Sequence, residues 1–334
     1  MGKGGGAPLS EPSTVSISKS IVRRANDIVA SQNGRLVLAL AIMAVVISSK
    51  SQYFLTIGNM LNIGQAVAVT GVLAVVETLV IVSGGIDLSV GTVPGLCAVT
   101  AAVVIETTHS GPAGVGAALV VGALAGLVNG LIITVGRVNA VIATLATFTA
   151  FEGVALLVAN GAVIGINDDG FNSIGSGRIG GIPIPILVLA VAALGAHIVM
   201  RYTDFGRHIY AFGANPAAAR LVGINVDRWR VSLYVIAGIG SGVAGILLSA
   251  RATGASPLQG TGMEFDVITA VVLGGAALAG GKGTLTGTML GVLIIGALYN
   301  GLILLQVQSF WQYIVQGALL AGVVILQERR RARS

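Results

Sequence analysis

Residues 201–230 read RYTDFGRHIYAFGANPAAARLVGINVDRWR, a long polar interruption between two otherwise apolar halves of the chain. The stretch carries Arg201, Asp204, Arg207, Arg220, Asp227, Arg228 and Arg230. Inside it, Asn215 is placed to cap a helix that begins at Pro216, continues through Ala217, Ala218, Ala219, Arg220, Leu221 and Val222, and stops at Gly223. Asn accepts an end N–H, Pro lacks the N–H that a first turn leaves free, and Gly takes the left-handed turn that ends a helix. Two turns of helix are marginal alone in water. This one therefore needs packing from its own loop or from another protein, and the loop is expected to be where the protein receives work from a partner.

The flanking halves decide the class. Of 334 residues, 54% are hydrophobic and 10% charged, with a mean hydropathy of +0.91, against about 25% charged in soluble domains. This is the composition of an integral membrane protein. Forty-nine glycines fit a bundle in which close helix packing replaces the hydrophobic force. The apolar runs are continuous, unlike the short alternating segments of a transmembrane β-barrel. The nineteen Lys and Arg outnumber the thirteen Asp and Glu, but most flank apolar runs as topology demands, so no nucleic acid partner is expected. Cys97 stands alone and His109, His197 and His208 are scattered, which leaves neither a disulfide framework nor a metal site. No Ser/His/Asp or Cys/His set suggests catalysis. Residues 1–34, Gly/Ser-rich and basic, do not read as a removable signal peptide.

At about twenty apolar residues per span, helices are expected near 35–50, 61–82, 88–106, 112–135 and 140–159, then 184–200, 231–250, 264–281, 284–305 and 310–326. The expected fold is an all-α polytopic membrane protein of about ten transmembrane helices. Segment 264–281, with acids at its start and paired glycines at its end, is a candidate for partial re-entry. With both termini cytoplasmic, all of the nineteen basic residues except Lys50, Arg178 and Arg251 fall inside, as the positive-inside rule requires. The chain then divides into a cytoplasmic tail (1–34), a permease-like membrane domain (35–326) with a cytoplasmic loop at 201–230 and an external loop at 160–183, and a basic tail (327–334).

Gly122, Gly126 and Gly130 line one face of their helix, as do Gly287 and Gly291, so a neighbouring backbone can approach; packing within one subunit is the expected use. External loop 160–183 is either a connector or a platform for an extracytoplasmic partner, with Asp168 and Asp169 as contacts. Gly281-Lys282-Gly283-Thr284 is not a nucleotide loop, because Ala276 and Gly283 occupy positions that the phosphate-binding pattern reserves for Gly and for Ser or Thr. Between two apolar helices lies Ser83-Gly84-Gly85-Ile86-Asp87-Leu88-Ser89-Val90-Gly91. Asp87 or Ser89 can cap the helix that follows, or the broken helix end can line a translocation path. Glu77 and Glu152 sit in apolar runs, where a carboxylate is costly; each is a proton relay or an interhelical hydrogen-bonding group, with the structural role favoured for Glu152. Asn129, Asn139, Thr144, Thr147, Glu77 and Asn300 are the polar groups available to a passing hydroxylated solute.

The run SGGIDLSVG (83–91), followed by GRHIYAFGANPAAARLVGINV (206–226) and TGMEFDVITAVVLGGAALAGGKGTLTG (261–287), resembles the permease subunits of carbohydrate-uptake ABC importers, the ribose-permease type, within the branched-chain amino acid/ribose permease superfamily. The resemblance extends from about residue 35 to 326. It implies two permease subunits, identical or not, around one pathway, two cytoplasmic ABC ATPase domains, and a periplasmic or lipid-anchored sugar-binding protein. It also implies a bacterial plasma membrane location and alternating access for a monosaccharide or sugar-like solute, since the GGIDLSVG form is absent from amino-acid permeases. Asn215 to Gly223 would be the helix seated on the ATPase, where ATP and Mg²⁺ would bind; no cofactor is expected on this chain. The family commonly carries a Pro-Phe pair where this chain has Asn139, Ala140, Val141 and Ile142. Two competing readings are an ion-coupled secondary carrier using Glu77, Asp87 and Glu152, and a non-transporting membrane scaffold.

Overall fold

A computed structural model describes residues 31–331, with side chains to residue 329; the expected tails fall largely outside the described residues. Helix α1 spans Gln32–Ser48, α2 Ile57–Val82, α3 Val93–Thr108, α4 Gly111–Thr134 and α5 Ala140–Val158. Then follow α6 at Asp169–Ser176, α7 at Ile184–Tyr202, α8 at Asp204–Ala214, α9 at Pro216–Leu221 and α10 at Val226–Ala252. Helices α11 at Met263–Leu273, α12 at Leu285–Leu304 and α13 at Phe310–Arg331 complete the bundle. Seven of these, α2, α4, α5, α7, α10, α12 and α13, are long and apolar enough to cross a membrane. The shorter apolar helices α1 and α3, together with α11, account for the other three expected apolar segments. Segment 264–281 is helical only to Leu273 and then irregular, because Gly275, Gly280 and Gly281 have φ of 99°, 86° and 74°, a left-handed backbone that no helix accepts.

Helix α2 is the axis of the molecule. Every residue from Gly71 to Val82 is buried, as an all-round apolar helix requires. At the other extreme, α13 has no buried residue in its apolar window and α7 buries only Pro185 and Met200, so their apolar faces are left to lipid or to another subunit. The closest packing joins α4 antiparallel to α10. A Cβ at Gly126 would lie 2.0 Å from the Tyr234 carbonyl oxygen, and one at Gly122 2.3 Å from that of Gly238. The four-residue glycine spacing therefore serves packing within one subunit, as expected. Gly287 and Gly291 do the same for α12 against α11, with the Gly274 and Ala270 carbonyl oxygens 2.0 and 2.1 Å from their virtual Cβ atoms.

Local chemistry fixes where helices begin. Ser31, Thr56, Ser110, Asn139, Asp168, Thr203, Asn215, Asn225 and Thr284 each accept a backbone N–H from the first turn that they precede, satisfying donors that lipid cannot. In loop 160–183, Asp168 Oδ1 caps α6 through the Phe171 N–H at 2.7 Å, and Oδ2 accepts the Gly111 N–H at 2.9 Å. Residues Ile164–Gly165 (β1) pair antiparallel with Gly254–Ala255 (β4), and Arg178–Ile179 (β2) with Ile182–Pro183 (β3). Loop 160–183 is thereby tied to the α3–α4 and α10–α11 connections. The Asp168 carboxylate is engaged in these backbone bonds, whereas Asp169 is exposed.

Candidate functional site

The chain is broken twice on the side that charge assigns to the cytoplasm. The first break follows α2: Gly84 turns the chain at φ 83°, Asp87 is extended, and Leu88–Gly91 form a single 3-10 turn before α3. The expected helix 88–106 is thus split, with continuous α-helix only from Val93. The second break is the glycine-rich segment 274–284. The Gly281 N–H donates to the Val82 carbonyl at 2.8 Å, so the two breaks meet.

Around the first break lies a buried polar hub. Glu77 Oε1 accepts the Asp87 N–H at 3.1 Å. Asp87 Oδ1 accepts both the N–H and the hydroxyl of Ser89, at 2.9 and 2.6 Å. The Ser89 oxygen accepts from Asn129 Nδ2 at 2.8 Å, and Asn129 Oδ1 accepts from the Thr147 hydroxyl at 2.6 Å. Thr144 closes the ring by accepting the Leu88 N–H at 3.2 Å. Relative exposures run from 0% for Glu77 and Thr144 to 6% for Thr147. The capping role expected for Asp87 is met: it caps the 3-10 turn and organises the hub.

Six of the expected pathway residues, Glu77, Asp87, Ser89, Asn129, Thr144 and Thr147, are brought together, but inside the protein rather than along an open wall. Gly84, Gly85 and Asn139 line a neighbouring cavity of about 940 Å³, and the Asn139 side chain also caps α5 through the Val141 N–H at 2.9 Å. Asn300 is elsewhere, in a reciprocal amide pair with Asn59 at 2.9 Å in each direction. Glu152 is half-buried on α5 and is absent from the hub. Tyr234 was not singled out by sequence: its hydroxyl donates to the Ile86 carbonyl at 3.4 Å. The available signal was a buried aromatic with a polar tip within an apolar run.

Loop 201–230 is built onto both breaks. Helix α8, which the sequence left within a generally polar interval, packs its last turn against the end of α2. A Cβ at Gly213 would sit 2.0 Å from the Val82 carbonyl oxygen, and one at Gly280 2.6 Å from that of Gly213. The Tyr210 hydroxyl donates to the Gly283 carbonyl at 2.8 Å. Immediately after α8, the Asn215 side chain accepts the Ala218 N–H at 3.0 Å, α9 runs from Pro216 to Leu221, and Gly223 takes φ 86°. Ala219 is buried, while Ala217, Ala218, Arg220 and Leu221 are exposed, Leu221 to 89% and the following Val222 to 77%.

Residues 59–324 match the family described as the branched-chain amino acid transport system / permease component. The ribose import permease protein of Escherichia coli (strain K12) is 41% identical over 298 residues, 88% of this chain and 93% of the relative. That of Bacillus subtilis (strain 168) is 40% identical over 301 residues, with 88% and 92% covered. The L-arabinose transport system permease protein of Escherichia coli (strain K12) is 37% identical over 300 residues, with 90% and 91% covered. No solved structure matches the chain significantly. A polytopic bundle with two glycine-hinged breaks joined to a capped cytoplasmic helix, matched over nearly its whole length, belongs to the branched-chain amino acid transport system / permease component family.

Proposed function

We propose that the chain is the transmembrane subunit of an ATP-driven importer in the bacterial plasma membrane, carrying a monosaccharide or sugar-like solute by alternating access. The sugar class is supported by likeness to ribose and arabinose permeases. The observation that carries the mechanism is the continuity of α9, α8 and the two breaks. A rod about ten ångströms long, at ~1.5 Å per residue, offers an apolar face of Ala217, Ala218 and Leu221 to a cytoplasmic ATPase. Its other end is one residue from α8, which is wedged against Val82 and Gly283. A push on α9 thereby reaches both broken segments without crossing a flexible linker. ATP-driven closure supplies the differential contact that shifts a two-state equilibrium, and the permease itself makes no covalent bond. ATP and Mg²⁺ belong to the partner, a second permease copy or homologue completes the pathway, and an extracytoplasmic binding protein delivers solute to the face that carries Asp169.

The ion-coupled reading is disfavoured by one observation: Glu77 Oε1 accepts the Asp87 N–H and Asp87 Oδ1 accepts both Ser89 donors, in a closed interior. Vesicles reconstituted with permease, ATPase and binding protein discriminate the two. Uptake of a pentose that requires internal ATP and is indifferent to protonophore is expected. ATP-independent uptake that collapses with the proton or sodium gradient would overturn the proposal.

A further inference from the structure

The cavity beside the first break has a charge that passage of a neutral sugar does not require. Its volume of about 940 Å³ lies within the roughly 300–1,000 Å³ of small-molecule sites. Arg137, Arg220 and Arg230 line it, with Asp227 as their one carboxylate neighbour. That carboxylate is already paired with Arg220 at 3.0 Å. Among the described residues neither Arg137 nor Arg230 has an ion pair or a side-chain hydrogen bond.

Two further features fit an anion with hydroxyl groups. Asn139, Ala140 and Val141 on one wall begin the 19-residue helix α5, whose first turn adds partial positive charge, and the Asn139 amide nitrogen is free to donate. Thr134, partly exposed, gives its hydroxyl proton to the Gly130 carbonyl, leaving its oxygen as an acceptor. The docking face of α9 is separate, since Arg220 is its one residue lining the cavity.

We infer that this cavity is a cytoplasmic binding site for the phosphate monoester of a polyhydroxylated compound. Arg137 and Arg230 take the phosphate as charge-assisted forks, and Asn139 with the Thr134 hydroxyl oxygen takes the sugar-like part. The sugar-like part rests on the sugar-uptake reading; the phosphate rests on the arginines alone.

The test is calorimetric titration of the full-length chain in phosphatidylcholine nanodiscs with ribose 5-phosphate, ribose and inorganic phosphate. Ribose 5-phosphate is expected to bind at least tenfold more tightly than either of the others, and Arg137→Gln/Arg230→Gln to lose at least tenfold in affinity with an unchanged unfolding temperature. Absence of saturable ester binding, equal affinity for inorganic phosphate, or undiminished binding by the variant overturns the site. If the double variant does not fold, Arg137→Lys and Arg230→Lys singly, which keep the charge and lose the fork, are each expected to weaken binding at least threefold; unchanged affinity in both overturns it equally. Phosphatidylglycerol nanodiscs separate a lipid source of the same chemistry: persistent ester binding supports the proposal, and its loss, with lipid retention dependent on Arg137, assigns the cavity to a headgroup and overturns it. Ester binding beside ATP-driven uptake of a non-sugar solute sinks the uptake reading and not the phosphate site.

Discussion

The polar hub and helix α9 are opposites held one α8 apart. In the hub, three helices (α2, α4 and α5) and a 3-10 turn converge on side chains that are almost fully enclosed, and nearly every polar atom has a partner; among the described residues Glu77 Oε2 is the hub's exception. In α9, a two-turn helix keeps one alanine buried and leaves the rest of its apolar face in water. Membrane interiors demand satisfied polar groups because nothing outside the protein can supply them. Water makes no such demand, so the exposed apolar face of α9 is free to serve the docking role proposed for it. The difference separates a region built for shape from one built for contact.

Substitutions that sharpen this contrast rank by burial. Asp87→Ala removes the acceptor of two Ser89 bonds and strands the Ser89 N–H in the interior. About 2–4 kcal/mol is the expected loss, read as a lowered unfolding temperature in lipid nanodiscs together with abolished uptake. An unfolding temperature matching wild type would show that the hub holds nothing.

Next is the joint. Gly213→Val drives a side chain into the Val82 carbonyl, an overpacking of about 1–3 kcal/mol. Because it separates α8 from the break while leaving α9 intact, ATPase association should persist as transport falls at least tenfold. Co-purification lost together with transport would mean that α8 serves docking rather than transmission.

Smallest is the cap. Asn215→Ala removes the bond to the Ala218 N–H and should cost about 1 kcal/mol locally. Amide exchange across 216–222 is expected to accelerate severalfold with the global unfolding temperature unchanged. A global destabilisation of the Asp87→Ala size would erase the distinction between the two regions.

Much of this architecture is legible in sequence, and the reason is local. Helix starts are written by residues such as Thr56, Ser110 and Asn215, whose side chains act within three positions of themselves. The α9 helix and its Gly223 stop emerge from the same grammar, and the glycine rows at 122–130 and 287–291 mark close packing without naming a partner. Hub membership was legible as residue types, which pointed to Glu77, Asp87, Ser89, Asn129, Thr144 and Thr147, but a uniformly apolar helix has no polar face to reveal which way they turn. The pairing of Asn300 is illegible for the same reason, because its partner Asn59 is 241 residues away in sequence. Tyr234 left one signal, a polar tip on an aromatic within an apolar run, without its partner Ile86, whereas Gly213 was invisible because its role comes from backbones brought close only in the assembled bundle. The same holds for the arginines of the cytoplasmic cavity, which sequence explains fully as topology charges until the fold gathers them.

The central claim is that α9 is the element through which work enters the membrane domain. Replacing Ala217 and Ala218 together by Asp puts two charges on the exposed face without touching the buried Ala219. The decisive measurement is solute-stimulated ATP hydrolysis by the reconstituted complex carrying Ala217→Asp/Ala218→Asp. The account predicts that stimulation is lost at least tenfold while membrane insertion and the unfolding temperature of the permease stay at wild-type values. Full stimulation in the double variant would contradict it.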